Sequence, residues 1–336
     1  MSQTHTGRSN PPSGEQAQGS MVSPTVAHDD ADRPMIWVNG DMKPKSEATV
    51  NVYDHGLLYG DGCFEGIRIY RGRIFKLEQH MDRLWRSAEA LRIKIPVSRE
   101  EMIAIQRKCV EVNEITEGYI RLIVTRGVGT LGLNPFKCPV PGVICIADQI
   151  SLYPQEMYET GMTVVLAERP RIPIAALDPK IKSLNYLNNI LAKMEALDRG
   201  LLEAIMLNRD GYVSECTGDN IFAFRDGKLY TPPVEAGILE GITRKFVMEE
   251  IAPACGVEVE ERMMRPIEML EADEIFLTGS AAEMIAVTGI ITKDPAGADF
   301  EHVIGRDKSV KAEGPLTKKL RAKFREVVTG DTVPED

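Results

Sequence analysis

The 336-residue sequence lacks several features that would place it in a familiar class. No apolar run approaches the ~18–20 residues that a membrane-spanning helix needs, so we expect no membrane protein. The N-terminus has no apolar segment of the kind that a signal peptide needs, and we therefore expect a cytoplasmic protein. The formal net charge of −10 argues against general binding to nucleic acid.

The six cysteines and five histidines form no cluster along the chain. No two cysteines make a C-x-x-C pair, and most lie in apolar runs. The sequence therefore predicts buried free thiols in a reducing compartment rather than disulfides. The histidines are scattered, and no group of them has the spacing of zinc ligands, so we predict no bound metal.

What the chain does contain is enough apolar sequence for two domains of ordinary size. It is 43% hydrophobic and 27% charged, which is typical of a soluble globular protein with an ample core. Changes of composition predict five segments. They are an N-terminal tail at 1–33, a small domain at 34–150, an interdomain connection at 151–161, a large domain at 162–330 and a C-terminal tail at 331–336. The first tail is rich in Ser, Gln, Pro, Gly and Asp, and we expect it to be disordered.

The small domain is predicted to be α+β, with strands and helices segregated rather than alternating. A hairpin is expected over "MIWVNG" and "EATVNV", and another over "CFEGIRIYRGRIFKL" with an Arg-Gly turn. Apolar residues on one face predict a helix that contains Leu77, Met81, Leu84, Ala88 and Leu91. A second helix is expected over 99–112, and "GYIRLIVTRG" and "GVICIADQI" predict two β-branched strands.

The large domain is predicted to open with the strand "MTVVLAE" and to contain no internal repeat. Two Asp-Gly turns predict hairpins over "AIMLNRDGYVSE" and "NIFAFRDGKLYTP". "GITRKFVMEEIAPACG" is predicted to be a helix, and "DEIFLTGSAAEMIAV" a strand, a tight turn and a strand. The terminal helix "GPLTKKLRAKFREVV" has Pro315 near its first position, as helix starts often do.

Residues 178–200, "DPKIKSLNYLNNILAKMEALDRG", combine a helical pattern with lysines in an unfavourable place. Most of this stretch is predicted to be an amphipathic helix with an apolar stripe at Leu184, Leu187, Ile190, Leu191, Met194 and Leu197. Lys180 and Lys182 lie where that helix would start, although the macrodipole disfavours cations there. A lysine in a locally positive field has a lowered pKa, so more of it is the free amine that attacks an aldehyde.

Three further features could belong to the same site, although each alone has an ordinary structural explanation. A helix start at residues 241–243 offers free N–H groups to a phosphate, and a turn at 279–281 offers more. Glu215 is either an exposed strand end or a carboxylate that keeps a pyridine nitrogen protonated. An aldehyde, a phosphate and a pyridine together describe pyridoxal phosphate, which these residues permit without selecting it.

Seven stretches, in chain order, resemble the class IV, fold-type IV, pyridoxal-phosphate aminotransferases. They are "YDHGLLYGDGCFEGIR" (53–68), "HMDRL" (80–84), "YIRLIVTRGVGTLGLNP" (119–135), "KSLNYLNN" (182–189), "GYVSECTGDNIF" (211–222), "LEGITRK" (239–245) and "LTGSAAEM" (277–284). The resemblance extends from Met35 to Val328 and is strongest to the branched-chain amino acid aminotransferases. It implies an α+β fold of two domains, similar to that of D-amino acid aminotransferase, with the cofactor at the domain junction and held mainly by the large domain.

The resemblance implies a role for each residue around that cofactor. Lys182, rather than its rival Lys180, would be the Schiff-base lysine. Glu215 would pair with the pyridine nitrogen, and Tyr186 would lie against the phenolic oxygen. The phosphate would be bound by Arg83, Ile242, Thr243 and Ser280.

The substrate pocket follows from the same resemblance. It would be lined from the small domain by Tyr59, Phe64, Arg68, Tyr119 and Arg121. The backbone N–H groups of Ser280 and Ala281 would hold the substrate α-carboxylate. Phe64 and the tyrosines suit an apolar side chain, whereas Arg121 suits the side-chain carboxylate of glutamate.

The implied reaction is reversible transamination of L-leucine, L-isoleucine and L-valine with 2-oxoglutarate, in a homodimer or higher homo-oligomer. Two alternatives keep the same fold: D-amino acid transamination and lyase chemistry on aminodeoxychorismate. "YIR" together with "GDGCFEGIR" favours the branched-chain activity, whereas "KSLN" does not discriminate. A non-catalytic binding descendant is a third alternative, but it would not need Lys182, Glu215 and Arg83.

Overall fold

The computed structural model describes residues 33–150 and 152–330. The predicted N-terminal tail, apart from Arg33, and the predicted tail at 331–336 lie outside these residues. Two sheets organise the described chain, one on each side of the predicted connection at 151–161.

The first sheet and its helices form an α+β unit. Its strands are β1 Met35–Val38, β2 Asp41–Pro44, β3 Gly62–Tyr70, β4 Arg73–Ile74, β5 Gly118–Thr125 and β6 Gly142–Asp148. Their spatial order is β2-β1-β6-β5-β3-β4, and every neighbouring pair is antiparallel. The helices are α1 His55–Tyr59, α2 Leu77–Ala90 and α3 Arg99–Val112, with a 3₁₀ turn at Pro135–Lys137. The second and third of these helices pack on the sheet at the predicted positions.

One strand prediction in this unit is wrong. The partner of β1 is β2, and "EATVNV" (47–52) forms no strand among the described residues. The turn between the two strands is Asn39 and Gly40, both at positive φ (51° and 111°), which an Asn-Gly pair adopts readily. This dipeptide starts the partner strand earlier than the apolar alternation suggested. The predicted Arg-Gly turn between β3 and β4 is confirmed, with Arg71 and Gly72 at φ 52° and 78°.

The second sheet is mixed and has nine strands. They are β7 Met162–Leu166, β8 Ala204–Leu207, β9 Val213–Cys216, β10 Asn220–Arg225, β11 Lys228–Thr231, β12 Val259–Glu261, β13 Glu274–Gly279, β14 Glu283–Lys293 and β15 Asp299–Val303. Their order is β12-β11-β10-β13-β14-β7-β8-β9, and β15 also pairs with β14. β7 runs parallel to β14 and β8, and β11 runs parallel to β12.

The helices around this sheet follow the predicted order, with two additions. They are α4 Gln155–Thr160, α5 Leu187–Leu197, α6 Ile242–Phe246, α7 Ala252–Ala254, α8 Pro266–Leu270 and α9 Pro315–Val328, with a 3₁₀ turn at Val234–Ala236. A π-helical turn, Val247–Ile251, joins α6 to α7, so the predicted helix is continuous from 242 to 254. Both Asp-Gly hairpins are confirmed, and α9 starts at Pro315 as predicted. The additions are α4 and α8.

Aromatic side chains join the two units. Phe75, which follows β4, lies 5.1 Å from Phe246 of α6 and 6.3 Å from Phe324 of α9, measured between ring centroids. The connection at 151–161 is not a bare linker, because it contains α4 and because Tyr153 is buried in the core of the second unit. We keep the division into two domains at this connection as a proposal.

Three sequence expectations concern the chain as a whole. All six cysteines are free, and Cys63, Cys109, Cys145 and Cys216 are buried, which confirms buried free thiols at these four. Within 33–150 and 152–330, no helix is long and apolar enough to cross a membrane. The same residues contain no cluster of three or more His, Cys, Asp or Glu side chains that could hold a metal ion.

Candidate active site

A cavity of about 440 Å³ is lined by residues of both units. This volume lies within the range of small-molecule sites. The first unit contributes Phe64 and Gly66 of β3, Arg83 of α2, and Tyr119, Arg121 and Ile123 of β5. The second unit contributes the segment before α5, the turn between β9 and β10, the start of α6 and the turn after β13. Most of the residues predicted for the site therefore converge on one cleft.

Lys182 reaches this cleft from an extended segment rather than from a helix. The backbone of the segment pairs with β3: the Phe64 N–H donates to the Lys182 carbonyl at 3.0 Å, and the Leu184 N–H donates to the Gly62 carbonyl at 2.9 Å. The Lys182 Nζ lies 3.1 Å from the Tyr186 Oη and 4.6 Å from the centroid of the Phe64 ring. A primary amine is thus held between a hydroxyl and an aromatic ring.

The predicted helical start at Lys180 and Lys182 is wrong, because α5 begins only at Leu187. Pairing with β3 takes up the backbone of residues 182–184, so a tertiary contact overrides the helical pattern. The macrodipole of α5 therefore does not explain the position of Lys182. Lys180 does not line the cavity, and its half-exposed side chain lies 3.8 Å from Asp178.

Four of the six residues of the predicted apolar stripe are exposed instead of buried in the core of this chain, whereas Leu184 and Leu191 are half-buried. Leu187, Ile190, Met194 and Leu197 are 49–60% exposed, whereas Asn189, Ala192 and Ala196 are buried. The buried face serves the cleft: Tyr186 meets Lys182, and Lys193, two turns further, contacts Glu203 at 3.2 Å.

Glu215 lies on β9, buried, and both of its carboxylate oxygens accept hydrogen bonds. Arg171 donates to Oε1 through Nε at 3.0 Å and Nη2 at 2.7 Å. The Asn220 Nδ2 and the Leu239 N–H donate to Oε2, each at 3.0 Å. Burial raises the pKa of Glu215, and the charge of Arg171 and the Leu239 N–H oppose that rise. The result is a fixed carboxylate on the cavity wall.

Arg83 is buried on α2 in a charged network. Its Nε and Nη2 donate to the two carboxylate oxygens of Glu65 at 2.8 and 2.7 Å, and its Nη1 donates to the Glu240 carbonyl at 2.9 Å. His80 Nδ1 lies 2.7 Å from the same carboxylate. Burial alone would raise the pKa of Glu65, but the charges and hydrogen bonds of Arg83 and His80 outweigh it and hold that pKa well below its usual range. Glu65 thereby fixes the guanidinium at the cleft.

The start of α6 lies beside this guanidinium. No side chain caps the helix, so the N–H groups of its first turn are available to an anion. Gly241 precedes the helix, and a Cβ at this position would lie 1.9 Å from the Asn220 Oδ1. Only glycine lets the backbone approach this closely. Ile242 and Thr243, which were predicted from the resemblance, both line the cavity.

The turn after β13 forms the opposite wall. Gly279, Ser280 and Ala281 line the cavity, as the sequence predicts for a donor turn. The Oγ1 of Thr278 is buried there and has no hydrogen-bond partner among the described residues. A buried hydroxyl without a partner calls for an explanation, and a bound polar group would supply one.

Three of the five substrate residues that were predicted from the small domain lie together. Phe64, Tyr119 and Arg121 all line the cavity, and Tyr119 and Arg121 share one face of β5. The Arg121 guanidinium carbon lies 4.7 Å from the Phe64 ring centroid and 5.7 Å from that of Tyr119. Gly66 makes room for the Tyr119 side chain, since a Cβ at position 66 would lie 1.7 Å from the Tyr119 hydroxyl.

The structure does not bring Tyr59 and Arg68 to the cavity of the single chain. Tyr59 is 37% exposed, and its Oη accepts from the Gly132 N–H at 2.8 Å. Arg68 lies further along β3 than Phe64, with its Nη2 3.6 Å from Glu283 Oε1. Arg68, which was predicted from the resemblance, shares a face of β3 with Phe64 but lies outside the cavity of the single chain, so its pocket role stays a prediction. A pocket role for Tyr59 stays a prediction for an assembled protein.

Several residues of the site were not predicted. They are Glu65 and His80 beneath Arg83, Arg171 and Asn220 around Glu215, the orphaned Thr278, and an ionic end of the cavity formed by Lys193, Glu203 and Asp219. Asp219 accepts from the Tyr153 Oη at 3.1 Å. Glu65 and Asn220 lie within the quoted stretches, so their positions were available, but Arg171 lies in none of them.

Comparison with known proteins agrees with this geometry. The chain matches the model of the amino-transferase class IV family over residues 62–290. It is 45% identical over 294 residues to the "Putative branched-chain-amino-acid aminotransferase" of Methanocaldococcus jannaschii, with 88% of this chain and 96% of the relative covered. It is 34% identical over 295 residues to a D-alanine aminotransferase of Listeria monocytogenes, with 87% and 96% covered.

Solved structures share the fold. The branched-chain amino acid aminotransferase of Escherichia coli superposes with a TM-score of 0.82 at 33% identity, covering 90% of this chain and 96% of that one. A second branched-chain amino acid aminotransferase, complexed with N-(5'-phosphopyridoxyl)-L-glutamate, gives a TM-score of 0.80 at 35% identity, with the same coverage. The chain belongs to the class IV aminotransferases and has their fold-type IV, α+β architecture.

Aminotransferases of this class use pyridoxal phosphate, and the residues present here fit it. Lys182 offers the amine that binds its aldehyde, and Glu215 offers a carboxylate for its ring nitrogen. Arg83, the uncapped start of α6 and the orphaned Thr278 hydroxyl supply a cation and donors suited to its phosphate. All of these groups line the same cavity.

Proposed function

We propose that this protein transfers the amino group of L-leucine, L-isoleucine or L-valine reversibly to 2-oxoglutarate, giving branched-chain 2-oxo acids and L-glutamate. The supporting observation is the position of Arg121. Its guanidinium lies in the cleft against two aromatic rings, and no ion pair within the described residues involves it. One cavity thus offers apolar walls to a branched side chain and a free cation to the γ-carboxylate of glutamate.

Each side chain of the site has a proposed task. Lys182 Nζ moves the proton of the substrate Cα, and the Tyr186 Oη at 3.1 Å orients this amine. Arg83, Ile242, Thr243 and Ser280 bind the phosphate, and the N–H groups of Ser280 and Ala281 hold the α-carboxylate. Pyridoxal phosphate supplies the aldehyde that carries the amino group and the ring that delocalises negative charge from Cα.

A panel of L- and D-amino acids with 2-oxoglutarate as acceptor tests this proposal. We expect L-leucine, L-isoleucine and L-valine to be good donors and their D-enantiomers to be poor ones. The purified protein should be yellow, and its visible band should bleach when L-leucine is added. A colourless protein with no turnover would point to a binding descendant instead.

D-amino acid transamination is the second candidate function. The similarity to D-alanine aminotransferases of Listeria monocytogenes supports it, because their identities of 33–34% are close to the 33–35% of several branched-chain enzymes. The same panel decides: preference for D-alanine over L-leucine would replace the branched-chain proposal. Assaying aminodeoxychorismate for release of pyruvate covers the lyase alternative.

We also propose that the protein is a homodimer or higher homo-oligomer. Many of its exposed apolar side chains lie on α5, on α1 and on the segment between β5 and β6; in the first unit they include Leu58, Tyr59, Leu131, Leu133 and Phe136. Large exposed apolar patches commonly mark interfaces. Light scattering after size-exclusion chromatography should give a multiple of the 37.3 kDa chain mass, and a monomer would reject the proposal. The cytoplasmic location expected from the sequence stays a prediction.

A further inference from the structure

Arg171 is a buried arginine that makes all of its polar contacts inside the protein. Its Nε and Nη2 both donate to Glu215 Oε1, at 3.0 and 2.7 Å. Its Nη1 donates to the Asn189 Oδ1 at 3.1 Å. The side chains of Arg171 and Glu215 are only 7% and 6% exposed. Breaking such a pair from either side leaves a buried charge uncompensated.

The opposite side of the Glu215 carboxylate is equally fixed. Asn220 Nδ2 and the Leu239 N–H donate to Oε2, each at 3.0 Å, and both residues line the cleft. Donors on both oxygens hold the plane of the carboxylate in one orientation. Arg171 is the one charged group among these donors, and it approaches from the side away from the cleft, since it does not line the cavity.

Helix α5 holds Arg171 in turn. The Asn189 Nδ2 donates to the Thr217 carbonyl at 2.8 Å, so Asn189 bridges Arg171 to the turn after β9. The neighbouring Asn188 Oδ1 accepts from the Ile172 N–H at 2.9 Å, which anchors the backbone next to Arg171. The same helix begins beside Tyr186, which contacts Lys182. The lysine and the glutamate of the site are therefore supported by one helix.

We propose that Arg171 is the positioning residue that keeps Glu215 ionised and aimed into the cleft, at the ring nitrogen of the cofactor. This proposal rests on the proposed function. Burial raises the pKa of Glu215, and Arg171 opposes that rise, so without Arg171 the carboxyl group would take up a proton more readily. A neutral carboxyl group does not favour a protonated ring nitrogen, and the ring would then withdraw fewer electrons.

Three single variants test the role: Arg171→Met, Arg171→Lys and, as a matched control, Arg321→Met. Arg321 also pairs with a carboxylate through two nitrogens, at 2.8 and 2.7 Å from Glu313, but lies on α9 and does not line the cavity. The first measurement is the pH midpoint, the pH at which the visible absorbance band of the holoenzyme has changed by half. The others are the cofactor dissociation constant by absorbance titration and the single-turnover rate with L-leucine.

For Arg171→Met we expect the pH midpoint to move to higher pH. The single-turnover rate should fall about ten- to a hundred-fold, by analogy with the loss of outer hydrogen-bond partners around metal ligands. Arg171→Lys should lie between the wild type and Arg171→Met in pH midpoint and in rate, because it keeps the charge but loses the two-nitrogen contact. Arg321→Met should leave the midpoint in place. If Arg171→Met does not fold, Arg171→Lys carries the test, and an unshifted midpoint with an unchanged rate in that variant overturns the proposal.

A double-mutant cycle with Glu215→Gln shows whether Arg171 acts through Glu215. In the Glu215→Gln background, Arg171→Met should not shift the midpoint further. An equal shift in both backgrounds would show that Arg171 acts by another route and would overturn the proposal. A wild-type protein that binds no pyridoxal phosphate would refute the proposed function itself, which is a separate result.

Discussion

Replacing Arg121 by leucine is the sharpest test of dual substrate recognition. The guanidinium lies 4.7 Å from the Phe64 ring and 5.7 Å from the Tyr119 ring, on the wall of the cleft. Among the described residues no carboxylate pairs with it, so its removal leaves no buried acid without a partner. The substitution should therefore act on the substrate rather than on the fold.

The expected size follows from the lost hydrogen bonds. A hydrogen bond to a charged group contributes about 1.5–3 kcal/mol. Because Arg121 is exposed in the single chain, solvent weakens the pair, and we take the lower end, about 1.5 kcal/mol or roughly tenfold. L-Leucine has no carboxylate at this position, so its rate should change by less than about threefold, which corresponds to ~0.6 kcal/mol.

Half-reaction rates for L-glutamate and L-leucine, measured on the same preparation of each protein, show directly whether Arg121→Leu slows glutamate more than leucine. Arg121→Lys is the matched control, because it keeps the charge without the planar fork and should lie between the wild type and Arg121→Leu for glutamate. The melting temperatures of the three proteins should agree closely. Equal losses for both amino acids, or a clear loss of thermal stability, would refute a selective role and would point to a structural arginine.

Further variants test the rest of the site. Lys182→Ala should abolish turnover and borohydride fixation of the cofactor, whereas Lys180→Ala should retain both; labelling of Lys180 in the wild type would reverse this assignment. Glu215→Gln should slow the half-reaction by about two orders of magnitude or more, at least ~2.7 kcal/mol, and unchanged single-turnover rates would remove Glu215 from the mechanism. Burial and the charge of Glu203 raise the pKa of Asp219 to about 7. The native state then keeps a proton that the unfolded state releases between pH ~4 and ~7, so stability should fall as pH rises through this window. Asp219→Asn should flatten the curve of melting temperature against pH, and parallel curves for the two proteins would contradict this.

Local patterns predicted most of the secondary structure because most elements carry their own start and stop information. The helix over 99–112 has Ser98 and Glu101, which form a capping box at its start. The hairpin turns at 226–227 and 71–72 end in glycine and adopt positive φ. Family order then located Lys182, Glu215 and Arg83, which all line one cavity in the structure.

The remaining features depend on contacts between distant segments, which periodicity does not encode. Pairing of residues 182–184 with β3 turned a predicted helix start into an extended segment. Arg171 carries no motif, because its role comes only from its distance to Glu215, 44 positions away. Arg68 shares a face with Phe64, yet its partner Glu283 lies on a different sheet. Such positions can be found only when distant segments of the chain are brought together in the fold.

Helix α5 shows how the two faces of one element can serve different purposes. Its inner face carries polar side chains at spacings of three and four: Tyr186 at Lys182, Asn189 at Arg171, and Lys193 at Glu203. Its outer face carries exposed apolar side chains, among them Leu187, Met194 and Leu197. A sequence pattern alone would bury the stripe and expose the polar residues, because burial against the same chain is the usual outcome. The reversed arrangement makes sense if the polar face supports the active site and a second copy of the chain covers the apolar face. Assembly would then restrain the helix that holds both the lysine and, through Arg171, the glutamate of the site.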